Sequence, residues 1–170
     1  MKTTNCKLQF IGLVLMLCCF GSSAAQPKPA PFLKRLIGTW QGEGKAFGME
    51  ARMQIKWEEV LGNKFVRLSL KNEMRTPTGQ TQVFEGHAYY QSTAEGLYEA
   101  KWFDSRGTSF PIKGQVEDEA LIAFWGTPEQ EQGKSVYRLL GTGKLEVVDS
   151  VKQKDGSWRE FGRFVLVREP

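Results

Sequence analysis

The chain has 170 residues, with 23 Lys and Arg against 19 Asp and Glu, a single histidine and three cysteines, for a formal net charge of +4. Charges of both signs are interspersed and no Lys/Arg stripe forms, so the charge is no warrant for nucleic-acid binding. Cys6, Cys18 and Cys19 all lie near the start, so the rest of the chain can build neither a disulfide framework nor a thiol nucleophile nor a thiolate metal site.

At the N-terminus, Lys2 and Lys7 precede the apolar run Phe10 to Phe20, and Ser23-Ala24-Ala25 then offers small residues where a signal peptidase reads. The run is 11 residues long, whereas a spanning helix needs roughly 20. Residues 1–25 are therefore expected to be a secretory signal, and the protein periplasmic or secreted. Lipid attachment at Cys18 or Cys19 is the lesser alternative, because Leu17 or Cys18 stands where a small residue is wanted. Loss of the signal leaves 21 basic against 19 acidic residues, nearly neutral, in about 145 residues that fit one domain.

Residues 26–31, QPKPAP, read as an extended proline-rich leader, and residues 32–170 as a single domain. In FLKRLIG, Phe32, Leu33, Leu36 and Ile37 fall at helical spacing between Pro31 and Gly38, enough for one short helical turn. From Gly38 the period becomes two. In MEARMQIKWE, Met49, Ala51, Met53, Ile55 and Trp57 alternate with polar residues, the signature of a strand with one dry face.

LGNK, at Leu61 to Lys64, reads as the following hairpin turn, after which Val66, Leu68, Leu70 and Met74 share a face. Turn signals recur at Thr76, Thr93, Asp104, Glu117, Glu131, Gly141 and Lys154, and ten strands result. Ten antiparallel strands in a meander leave two open edges unless they close. The expected fold is thus all-β, a closed up-and-down antiparallel barrel preceded by the short helical turn; a sandwich has the same periodicity.

The opening GTWQGEG lacks the spacing of a dinucleotide-binding loop, and a strand rather than a helix follows it. Glycines in a first strand permit bending and close backbone approach, and Trp40 would then plug one end of the barrel. GTWQGEG resembles the G-x-W signature of the calycin superfamily, and more closely the opening of nitrobindin-like haem-binding barrels. The tail FGRFVLVR is similar to the last strand of calycins. The resemblance implies a closing role for Gly38 and Trp40, with Arg163 or Arg168 packing over the indole. Leu36 to Arg168, with its WFDSRG and DGSWREFGRF elements, is also similar to a family of exported lipocalin-like proteins.

Nitrobindin-like barrels hold haem through a histidine near the C-terminal end of the barrel, and Lys144 to Pro170 contains none. His87, the one histidine, lies mid-chain with a parity that points it outward, so haem is a minor expectation that needs His87 or a tyrosine. No cofactor is otherwise called for. No second His or Cys stands near His87 to complete a metal site.

Small-molecule cavities are mostly apolar with a few orienting polar groups. Trp57, Trp102, Trp125 and Tyr137 are the candidate walls, and one of the adjacent Tyr89 and Tyr90 must face in; Tyr90 is the candidate. Asp104 shares a face with Tyr98, Ala100 and Trp102, and Asp149 shares one with Leu145, Val147 and Val151. Asp104 would either orient a ligand or, the preferred reading, cap the DSRG turn. Asp149 would either face a ligand or pair internally with Arg138 or Arg163, Arg138 itself being a candidate ligand contact.

No glycine-flanked nucleophile or Ser-His-acid arrangement is visible. The expected function is an exported barrel, monomeric or weakly dimeric, binding a small, largely apolar molecule. Two alternatives stand beside it: a haem barrel acting on reactive nitrogen or oxygen species, and a small hydrolase or isomerase using a carboxylate pair drawn from Asp104, Asp149 and Glu160.

Overall fold

Alternating dry and wet side chains bend a sheet around its own apolar face, and in the computed structural model ten such strands close on themselves. The structure describes residues 31–93, 97–141 and 143–170; the expected signal and most of the proline-rich leader lie outside them. A short helix α1 (Pro31–Leu36) leads into β1 (Gly38–Ala46), β2 (Met49–Val60), β3 (Phe65–Arg75), β4 (Thr81–Ser92) and β5 (Leu97–Asp104). The circuit continues through β6 (Ser109–Glu117), β7 (Ala120–Gly126), β8 (Gln132–Leu139), β9 (Lys144–Lys152) and β10 (Trp158–Arg168). Every neighbouring pair is antiparallel, and β10 returns to β1 in the register Trp40↔Arg168 to Ala46↔Gly162. The sandwich is thereby excluded. Among the described residues no helix is long and apolar enough to cross a membrane.

The glycines of the first strand have a steric purpose at the seam. A Cβ on Gly42 would lie 2.3 Å from the Val165 carbonyl oxygen, and one on Gly44 would lie 2.1 Å from that of Arg163. Both distances are far inside van der Waals contact, so only glycine allows β1 to lie this close to β10.

Successive hairpins place α1, the β2–β3 turn, the β6–β7 turn and the C-terminus at one end. That end is solid. Phe32, Leu33 and Leu36 of α1 are buried against Trp40, whose Nε1 donates to the Leu36 carbonyl at 2.7 Å. The Arg168 guanidinium lies over the Trp40 ring at 4.3 Å and donates to the Ile37 carbonyl at 2.7 Å. Gly38, at φ +129°, brings the chain under the same guanidinium.

Arg168 is therefore the arginine that covers the tryptophan. Arg163 does not: its position on β10 faces outward, where it donates to Glu146 and Glu160 at 2.6–2.9 Å. Residues two apart on a strand share a face, and Phe164, the odd partner of Arg163, takes the inward place.

Candidate functional site

Above this floor the barrel is hollow, with a cavity of about 610 Å³ opening toward the β1–β2, β3–β4, β5–β6 and β7–β8 turns. The hollow exists because two large aromatic rings lie along the wall. A Cβ on Gly86 would sit 2.1 Å from Cζ2 of Trp102, and one on Gly133 would sit 1.9 Å from Cζ2 of Trp125. Each indole occupies the space left by a glycine on the adjacent strand, so it lines the lumen without crossing it. Phe84 stacks on Trp102 with centroids 6.3 Å apart, and Phe110 tilts onto Trp125 at 5.6 Å. Met49, Met53 and Met74 complete an apolar wall of flexible side chains.

The lower wall is polar. Trp57 is fully buried beneath it, 5.3 Å from both the Tyr90 and the Tyr137 rings, and makes the floor rather than a wall. Trp57 was expected to line the pocket; its position opposite Gly38, near the closed end, sinks it below the hollow. Tyr90 and Tyr137 face the lumen, and their phenols are pushed above the usual range by burial first, with the nearby Asp149 charge adding to it.

Asp149 pairs across the ladder with Ser135, and the Ser135 hydroxyl donates to Asp149 Oδ1 at 2.6 Å. Ser135 in turn accepts from Trp125 Nε1 at 3.3 Å. Burial raises the Asp149 carboxyl to about 6, and the Ser135 hydrogen bond only partly opposes this. Its accessible surface is cavity surface.

Neither arginine proposed as its partner reaches it. Arg138 follows the inward Tyr137, so the pleat turns it outward, where it donates to the Asp118 carbonyl at 2.7 Å. It binds the β6–β7 turn at the closed end and is no ligand contact. Arg163 is held outside by its two glutamates.

Asp104 belongs to the turn. Its side chain is 0% exposed and accepts from the Trp102 indole at 3.1 Å, the Arg106 backbone at 2.9 Å and the Arg106 guanidinium at 2.8 Å. Burial opposes its ionisation, but those donors outweigh burial and hold the carboxyl below the ordinary range. Asp104 is thus not a cavity-wall residue; it locks Trp102 and Arg106, and Arg106 lines the mouth with its guanidinium 5.4 Å from the Phe84 ring. The carboxylate pair expected from Asp104, Asp149 and Glu160 is not assembled: one is saturated, one is luminal and one is outside.

Sequence reading missed Asn72, Ser135, Arg106 and Glu131. Two of these were legible: Asn72 shares parity with Leu70 and Met74, and Ser135 with Gly133 and Tyr137. Asn72 is 6% exposed, lines the cavity, and its Oδ1 has no hydrogen-bond partner. Arg106 and Glu131 come from turns, where no periodicity announces a side chain's direction. At the rim a bulge between Glu160 and Gly162 re-aims Phe161, which stacks on Phe47 with centroids 4.7 Å apart.

His87 is exposed and its Nδ1 lies 3.1 Å from Ser69 Oγ on the outer face. It cannot ligate anything in the lumen. Tyr90, Tyr137 and the thioethers of Met49, Met53 and Met74 are the luminal side chains of a kind that ligates haem iron, and burial disfavours the phenolate form that a tyrosine ligand needs.

No protein-family model and no curated protein sequence matches this chain. Solved structures do share its architecture. Rv2717c from M. tuberculosis aligns with a TM-score of 0.59 at 18% identity, covering 83% of this chain and 99% of its own. The S-type phycobiliprotein lyase CPES from Guillardia theta aligns with a TM-score of 0.58 at 10% identity, covering 82% and 91%. At such identities the likeness is one of fold alone: this chain is a closed antiparallel ten-stranded barrel with an internal cavity.

Proposed function

We propose that the protein is an exported binding barrel that holds one small, largely apolar molecule and orients it through a few polar groups low in the lumen. The observation that carries this is the cavity itself, whose volume of about 610 Å³ falls within the range of about 300–1,000 Å³ typical of small-molecule sites. Its walls fit the task. The indoles of Trp102 and Trp125 offer flat apolar contact, the methionines adapt to shape, and Tyr90, Tyr137 and Asp149 fix one end of the guest. Export rests on the N-terminal signal pattern and a monomeric or weakly dimeric state on the closed sheet, which has no free edge to pair.

Titration of the purified chain with N-phenyl-1-naphthylamine, followed by its emission and by tryptophan quenching, tests the reading. One saturable site with blue-shifted dye emission, competed by fatty acids or isoprenoid alcohols, is expected. Absence of saturable binding by the dye and by all competitors would overturn it. Haem added to the same protein is expected to leave no sharp Soret band.

A further inference from the structure

The hydrogen-bonding capacity of the lumen is lopsided. Among the described residues, Asp149 Oδ1 is engaged by Ser135, while Oδ2 receives no hydrogen bond and lies over Gly162, where even a Cβ would come within 3.3 Å of it. Asn72, four strands away around the ring, presents a second unmet acceptor in Oδ1. Of the donors nearby, the Ser135 hydroxyl is committed to Asp149, the Trp125 indole to Ser135 and Arg106 to Asp104, while the Tyr90 and Tyr137 phenols are hydroxyls that can donate or accept. A guest that meets the open acceptors of Asp149 and Asn72 must donate.

Charge points the same way. Asp149, Glu131 and Arg106 are the charged side chains among the lining residues. Arg106 sits at the mouth with Asp104 and, at 3.9 Å, Glu131, and does not reach the carboxylate below. The side chains packed around Asp149 are Ser135 and Tyr137 of β8, Phe164 of β10 beside Gly162, and Tyr90 across the lumen. None is a cation. A carboxylate without a counter-ion, below four aromatic rings whose faces attract positive charge, selects against anions.

We propose that the cavity takes amphipathic amines: an aromatic or otherwise flat apolar body against Trp102 and Trp125, with a protonated nitrogen donating to Asp149. This rests on the cavity being a binding site, and it names the class of guest. Burial without a counter-ion is also what raises the carboxyl to about 6, against the Ser135 hydrogen bond, so an ammonium ion would find it ionised at neutral pH and lose it on acidification.

Three probes with one bicyclic body separate the possibilities: naphthylethylamine, naphthylethanol and naphthylacetate, titrated by calorimetry at about pH 8 and about pH 5. At the higher pH the amine is expected to bind about tenfold tighter than the alcohol, as a charge-assisted hydrogen bond in a buried site allows, with the acetate weakest. At the lower pH the amine's advantage should vanish while alcohol binding holds. Asp149→Asn should abolish the preference at both pH values, leaving the amine no tighter than the alcohol. Equal binding of all three, a preference for the acetate, or a preference that survives in Asp149→Asn would overturn the proposal while leaving the binding barrel standing. Binding of none would remove both. Should Asp149→Asn lose the alcohol as well, the pH series on the unaltered protein decides: an advantage that persists at about pH 5 overturns the proposal.

Discussion

The two ends of this barrel use the same period-two pattern to opposite ends. At the closed end large side chains dominate the inward positions, and α1 fills what the strands leave, so Trp40, Trp57, Leu33, Leu36 and Leu145 are packed to exclusion of solvent. Toward the mouth the inward places alternate large with small: Gly86 faces Trp102 and Gly133 faces Trp125. Equal numbers of aromatic rings can thus make a core or a room, depending on whether each ring projects across the axis or lies over a missing Cβ. Polarity does not follow the same division: the floor satisfies the Trp40 indole but leaves Trp57 Nε1 without a partner, and the lumen leaves Asn72 Oδ1 and Asp149 Oδ2 without protein donors among the described residues.

Three changes test this contrast. The largest effect belongs to the plug: Trp40→Ala removes the indole, its bond to Leu36 and the surface under Arg168, and should cost about 3–5 kcal/mol in denaturant titration. Dye affinity, measured where the variant is still folded, should fall far less than stability. A loss of affinity in proportion to stability would show that the two ends are not separate.

Asp149→Asn should act in the other direction. A buried acid whose carboxyl is raised from 3.8 to about 6 costs stability wherever it is ionised in the fold. That penalty is absent below the unfolded value, grows as pH rises and is complete above about 6. The variant should therefore match the original protein near pH 4 and exceed it near pH 8 by on the order of 2 kcal/mol, seen in paired denaturant melts. A pH-independent difference would mean that Asp149 is better solvated or paired than its surroundings indicate.

The smallest stability effect and a selective functional one are expected from Gly133→Ala. The new Cβ must push the Trp125 ring off the wall and into the lumen, costing roughly 1–2 kcal/mol, while dye affinity should fall by about tenfold as the room narrows. Unchanged affinity would place the guest away from that wall.

How much of this could be read beforehand varies from residue to residue. The strands were legible because alternation in segments such as MEARMQIKWE is a direct record of which face is dry, and Tyr90, Trp102, Trp125, Tyr137 and Asp149 all took the side their parity assigned. Arg138 went astray against that same rule, since it follows the inward Tyr137 and had to point out. Asp104 has the inward parity and still is no wall, because the turn supplies Arg106 to saturate it. Trp57 has the right face and the wrong height.

The primary structure by itself determined the elements, their faces and the need to close, because those depend on neighbours along the chain and on the edges a meander leaves exposed. It also marked the seam, since glycines within a strand call for close backbone approach. Tertiary structure alone decided that the barrel is hollow above Trp57, that Trp102 and Trp125 lie over Gly86 and Gly133, and that Asp149 meets Ser135 instead of an arginine. Those outcomes depend on height along the barrel axis and on cross-strand register, which are set by how ten strands stagger when they close and leave no local trace in the order of the residues.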